Sequence, residues 1–172
     1  MKYVSEFVYG GIDGTITTMA IVAASAGAGL PSNVIIILGL ANVLADGFSM
    51  GISRYLSAKA EHEMNNPGAP LSPIKSGLAT LAAFVIIGLI PLAAFIWAYV
   101  NQKSGEDMYP YAYALTALAF FLVGSIKSKF TGKSAMEGGL ETLAIGGTGA
   151  IIAWGIGNSL KNLAPQEYVD KL

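Results

Sequence analysis

No cysteine occurs in this sequence, which excludes a disulfide framework and any thiolate metal site. There is one histidine, His62, so a metal would have to be held by oxygen, by Met sulfur or by that single imidazole. Charge is scarce too. Asp, Glu, Lys and Arg make up 12% of the chain, about half the roughly 25% of a soluble protein. A net charge of −1 gives no support for nucleic-acid binding, which needs a concentrated basic face, so no nucleic-acid partner is expected. No nucleophile–base arrangement stands out, so the chain does not read as an enzyme, and no resident cofactor is expected. Lys2 and Glu6 precede a long apolar segment without a cleavage site, so the first helix is expected to insert and stay.

What is present is apolar: 53% of residues are hydrophobic. Crossing the hydrocarbon of a bilayer takes about 20 mainly apolar residues per helix. Five stretches qualify, at 7–30, 33–56, 74–100, 109–126 and 138–160, and they predict an all-α, polytopic membrane protein forming a single transmembrane domain over 1–172. Pro31, Ser32 and Asn33 mark a tight turn between the first two spans, with Ser32 or Asn33 able to cap the second. Asn65 to Pro70 and then Ser72-Pro73 form the next loop, and Pro91 should kink the third span.

Lys2, Arg54, Lys59, Lys75, Lys127, Lys129 and Lys133 fall on the side of the N-terminus, against Lys103, Lys161 and Lys171 on the other. That bias predicts a cytosolic N-terminus and an external or lumenal C-terminus, in the cell membrane of a prokaryote. Trp97, Tyr99, Tyr109, Tyr111 and Trp154 gather toward the far side, as interfacial aromatics do.

Against this background three acids stand out within the spans: Asp13, Asp46 and Glu141. An Asp at a helix centre costs roughly 2.5–3.5 kcal/mol on insertion scales. Such groups face a bundle interior or a water-filled path, bind a cation or carry a proton. Their depths would let all three converge in the cytosolic half of one bundle. In the second span Asn42, Asp46 and Met50 recur every four residues and share one stripe. An amide, a carboxylate and a thioether suit a borderline divalent ion better than Mg²⁺ or Ca²⁺, which want oxygen alone. The alternative is that Met50 fills a packing gap and Asn42 bonds a neighbouring helix. Thr17 lies one turn above Asp13. For Asp13 the alternative is a helix cap, and for Glu141 a salt bridge to Lys127 or Lys133. Glu61, His62 and Glu63, with Glu137 at the start of the fifth span, are candidates for capturing an ion at the mouth. The plainer alternative for the run Glu61 to Met64 is a solvated helix end. Gly138, Gly139, Gly146, Gly147, Gly149, Gly155 and Gly157 make the fifth span a packing helix.

Asp13-Gly14 with Thr17-Thr18, Leu40-Ala41-Asn42 through Ala45-Asp46-Gly47-Phe48-Ser49-Met50-Gly51, and Phe130-Thr131-Gly132-Lys133-Ser134 leading into Gly139-Leu140-Glu141 resemble the vacuolar iron transporter family. The resemblance implies five transmembrane helices, a homodimer and movement of Fe²⁺ or related divalent ions such as Mn²⁺ out of the cytosol in exchange for protons. It also implies that Asp13 and Met50 line the path. Three features depart from the family pattern. Full-length members carry an acidic helical domain between helices two and three, where this chain has only 57–73, so Glu61, His62 and Glu63 are not that domain's ligands. A Met-x-x-Gly-Glu pattern is replaced by Met50-Gly51-Ile52-Ser53-Arg54; a cation there would repel a passing metal unless it points to lipid headgroups or pairs with an acid. Ile12 replaces a polar residue common before the Asp.

The resulting expectation is a metal transporter in which metal and protons compete for Asp13, Asp46 and Glu141. The expected partners are divalent metal, protons, membrane lipid and a second copy of the chain. Two other functions use the same residues differently. A non-transporting scaffold or subunit would keep the fold, and Arg54 favours it. A proton or monovalent cation channel would need the acids but not Met50.

Overall fold

A computed structural model describes residues 3–65 and 72–161. The loop expected over Asn65–Pro70 lies, from residue 66 on, outside the described residues, as do Lys2 and Lys171. The order is α1 (Val4–Ala28), α2 (Ser32–Glu63), α3 (Pro73–Gly88), a 3₁₀ turn (Ile90–Leu92), α4 (Ala93–Val100), a second 3₁₀ turn (Glu106–Met108), α5 (Tyr109–Thr131) and α6 (Ala135–Leu160). There is no strand among the described residues. With α3 and α4 forming one span, five helices are long and apolar enough to cross a membrane. The chain is an all-α membrane protein of five transmembrane helices.

Local chemistry accounts for the breaks. Gly29 ends α1 in the left-handed region at φ 72° and Gly132 follows α5 at φ 76°, where a side chain would be strained. Ser72 and Ser134 cap α3 and α6 by accepting from the backbone N–H of Lys75 and Glu137. The α2 start differs from expectation: Pro31 is the capping residue and makes no side-chain bond. Pro91 cannot supply an N–H, and the third span breaks at Leu89 into the 3₁₀ turn that holds it. α2 runs to Glu63 and Met64 follows as its C-terminal cap, so the run from Glu61 to Met64 is the exposed end of a helix.

Glycine contacts draw the bundle together. A Cβ on Gly10 would lie 2.5 Å from the Thr80 carbonyl oxygen, and one on Gly14 2.5 Å from that of Phe84. The glycines beside Asp13 therefore bring α1 against the α3 backbone. Gly77 of α3 meets the carbonyl of Gly51 in α2, Gly27 and Gly157 join α1 to α6, and Gly124 and Gly138 join α5 to α6. In contrast, Gly147 and Gly155 have nothing within 4 Å of an added Cβ. They lie on an open face of α6, not in a helix contact.

The apolar core occupies one half of the molecule. Met19, Val22 and Ala23 of α1 pack with Ile35 and Val43 of α2, Leu92, Phe95 and Ala98 around α4, and Met108 and Ala112 leading into α5. This is the half holding the α1–α2 turn. The other half, with the start of α1 and the end of α2, holds Glu6 and Arg54 beside a smaller apolar cluster of Ile87, Ala119 and Val123, against which Phe7 and Ile12 pack.

Candidate ion path

α1 and α2 are antiparallel neighbours, and two charged contacts fix their register. Arg54 of α2 reaches Glu6 of α1, and Asp46 of α2 is close enough to Asp13 of α1 for their charges to interact. Seven residues along α1 match eight back along α2, about two turns of each. The same register carries Thr17 and Thr18 to the level of Asn42. A polar seam thus runs from Glu6 and Arg54 through Asp13 and Asp46, and Asn42 continues it on the α2 side. Beyond it stand Met19, Val22, Ile35 and Leu92, each 2% exposed or less.

Asp13 lies nine residues inside α1, which begins at Val4, so it caps nothing. It is half-buried, like Asp46. The Thr17 hydroxyl does not reach toward an ion: it donates to the Asp13 backbone carbonyl at 2.8 Å. Among the described residues, Thr18 Oγ1 and Asn42 Nδ2 are buried without a hydrogen-bond partner. Asn42 belongs to the α2 stripe that carries Asp46, whereas Thr18, five residues on from Asp13, is turned to another face of α1; buried polar groups of this kind are satisfied by water, an ion or a neighbour.

Met50 lines a groove of about 540 Å³ between the two helices, together with Ser5, Glu6, Tyr9, Ser49, Ser53, Arg54 and Ser57. Thioether, carboxylate and hydroxyl groups share this wall, and Tyr9 also reaches a second, more apolar groove that includes Asp13, Ile16, Lys127 and Phe130.

The residue that sequence reasoning passed over is Glu6. It is 3% exposed. Its Oε1 accepts from Arg54 Nη2 at 2.9 Å, from Arg54 Nε at 3.2 Å and from Ser76 Oγ at 2.5 Å, while Oε2 accepts from Ser5 Oγ at 2.8 Å. Arg54, the sole arginine of the chain, gives its remaining Nη1 to Glu61 at 3.1 Å. Its guanidinium therefore answers two carboxylates. The sequence held one clue: Glu6 is seven residues before Asp13 and so on the same helix face.

The other candidates are held apart from this seam. Glu141 is 41% exposed and pairs with Lys127 at 3.3 Å and Lys133 at 3.7 Å. The structure brings Asp13 and Asp46 together, and places Glu141 in a separate ion-pair cluster between α5 and α6. Lys127 stands between the two regions, since it also borders the groove that includes Asp13. Glu137 pairs with Lys133 at 4.0 Å and Glu63 with Lys59 at 3.9 Å, both at exposed i,i+4 positions. Glu61 serves Arg54, and His62 is exposed on the last turn of α2. Among the described residues no three His, Asp or Glu side chains gather into a metal site.

The chain matches the VIT family over residues 4–69 and 61–158. The two matched pieces meet at the link between α2 and α3. It is similar to a protein named vacuolar iron transporter from Toxoplasma gondii, at 28% identity over 92% of this chain and 74% of that protein. It is also similar to vacuolar iron transporter 1 from Oryza sativa subsp. japonica, at 25% identity over 93% and 86% of the two chains, and to one of that name from Eucalyptus grandis, at 22% over 94% and 88%. The first alignment runs over 225 residues although this chain has 172, so the relative carries residues within the aligned stretch that have no counterpart here.

Proposed function

The chain belongs to the VIT family, and from that premise we propose that it carries a divalent transition metal, Fe²⁺ or Mn²⁺, out of the cytosol in exchange for protons. One observation carries the reading: Asp13 and Asp46 lie on neighbouring helices within the spans, close enough for their charges to interact. Two carboxylates in an apolar surround repel one another and cost free energy until neutralised. One divalent ion or two protons achieve this equally well. Loading with metal therefore expels protons, and loading with protons releases metal.

Met50 supplies the choice of metal. A thioether adds little for a hard cation and more for a borderline one. The seam opens where α1 begins and α2 ends and is stopped by the apolar core at the opposite end, an arrangement open to the side on which lysine is concentrated. That side is the cytosol by the lysine bias.

The reading includes a second copy of the chain as the cover for the seam. Ser49, Ser53 and Ser57 are exposed along α2, and Asn42, Asp46 and Met50 are only half-buried, although α2 is long and apolar enough to cross a membrane. Polar groups of this kind avoid lipid and face protein or a water-filled space. Two copies meeting across this seam would also double the donors around a metal.

The scaffold alternative rested on Arg54, whose charge is met by Glu6 and Glu61. The test is Fe²⁺ or Mn²⁺ flux into proteoliposomes with internal pH recorded at the same time. Metal uptake with opposing proton movement is expected for the wild type, and neither for Asp13→Asn. Proton movement without any metal dependence would sink the exchange and favour the channel reading.

A further inference from the structure

Glu6 and Arg54 have no assigned part in the exchange at Asp13 and Asp46, yet they occupy the outer end of the same seam. The carboxylate is fixed from two sides that do not involve arginine. Ser76 Oγ of α3 holds Oε1 and Ser5 Oγ holds Oε2, so Glu6 would keep its position if Arg54 left. The guanidinium is less confined, with its side chain 23% exposed against 2% for Glu6. It has a second acceptor in Glu61, two turns further along the same helix. Met50 is one turn from Arg54 in the other direction and lines the same groove as Glu6. A preformed anionic position beside a thioether is thus filled by a cation that belongs to the protein and has somewhere else to go.

We propose that Arg54 is a tethered, exchangeable cation: it holds the place on Glu6 that a divalent metal takes beside Met50, and it withdraws onto Glu61 when the metal arrives. This rests on the transport reading above. Empty, the groove keeps Glu6 neutralised and α1 drawn to α2. Loaded, the metal replaces the guanidinium at Oε1, the charge on Glu6 is again met, and Arg54 remains paired through Nη1. The device admits only a cation that outcompetes an intramolecular guanidinium for one carboxylate. A divalent ion with an added sulfur ligand has that advantage, and a monovalent ion does not.

The test is Mn²⁺ binding to the purified full chain, followed by the loss of the free-ion electron paramagnetic resonance signal. Arg54→Gln removes the competitor and should bind Mn²⁺ about tenfold tighter, the scale of a displaced charge-assisted hydrogen bond. The gain should vanish in the Glu6→Gln/Arg54→Gln double variant. Glu61→Gln keeps the Glu6–Arg54 pair and removes the place to withdraw, so Mn²⁺ should bind more weakly, by about threefold or more. Arg54→Gln binding no tighter than wild type, a gain that survives without Glu6, or Glu61→Gln binding as tightly as wild type would each overturn the exchange. Should Arg54→Gln fail to fold, Glu61→Gln decides alone. Mn²⁺ flux through the unaltered protein in proteoliposomes separates the two levels. Flux with no change in any variant overturns the tethered cation only, whereas no flux and no binding overturn the transport reading with it.

Discussion

A guanidinium one turn beyond Met50 repels a divalent cation only if its charge is unmet. At an effective dielectric near 20, two unit charges 4 Å apart interact by about 4 kcal/mol, so Arg54 alone would close the groove. Glu6 and Glu61 reverse that conclusion. Introducing an acid at this position, Arg54→Glu, would set three carboxylates together and leave Glu6 buried without a cation. Breaking a buried pair on one side costs about 3–5 kcal/mol. We expect Arg54→Glu to lower the thermal unfolding temperature in detergent clearly, and the exchanged pair Glu6→Arg/Arg54→Glu to recover part of it. No loss in the single variant would show that the pair contributes nothing. Met50 makes a separate prediction. Met50→Leu conserves volume, should cost under about 1.5 kcal/mol, and should slow Fe²⁺ flux more than flux of any harder ion. Equal Fe²⁺ flux in the variant would make Met50 packing only. The Asn42, Asp46, Met50 stripe was legible because it lies within one helix, where spacing alone sets the face. The Glu6–Arg54 contact spans 48 positions, and nothing short of the register between α1 and α2 reveals it. Glu141 shows the same limit from the other direction. Sequence leaves an ion path and a salt bridge to Lys127 or Lys133 equally open for it, and packing settles on the salt bridge.

Glycines do opposite things on different elements, although they look alike in sequence. Gly10 and Gly14 let α1 settle on the α3 backbone, where an added Cβ on Gly14 would also come within 3.1 Å of Phe84 Cα. Gly14→Ala must push two helix backbones apart and should destabilise by about 1–3 kcal/mol. Gly147 meets nothing within 4 Å, so Gly147→Ala should leave the unfolding temperature unchanged or slightly raised. Thermal melts of the two variants side by side check the contrast, and equal effects would mean that α1 and α3 are not packed as described. The helix ends followed the usual chemistry at Gly29, Ser72, Gly132 and Ser134. α2 is where sequence underestimated an element. Its last turns carry Lys59, Glu61 and Glu63, which end an apolar run without ending a helix, since a helix leaving the bilayer continues on ion pairs and propensity.

At the scale of the molecule, polarity is divided lengthwise. The larger apolar core surrounds Leu92 and Phe95, and the other half holds the seam beside a smaller apolar cluster. A protein without cysteine offers a clean background for testing whether a second copy covers the seam. Ser53→Cys, on the exposed wall of the Met50 groove, should form an interchain disulfide in membranes under mild oxidation. Ile151→Cys, 72% exposed on α6, should not. Cross-linking at Ile151 but not Ser53 would move the contact to α6 and leave the seam to water.

The position of the acids on α1 also bears on how the chain enters the membrane. Glu6 and Asp13 make α1 a poor candidate for insertion by itself. The cation that answers Glu6 is on α2, and the connection from Ala28 to Ser32 is too short to let the helices part. α1 and α2 must therefore leave the translocation machinery as one hairpin, with the first helix waiting for the second. Truncation after Leu30 should yield a segment that fails to integrate. Extension through Glu61 should restore integration, and Arg54→Gln in the longer chain should weaken it again.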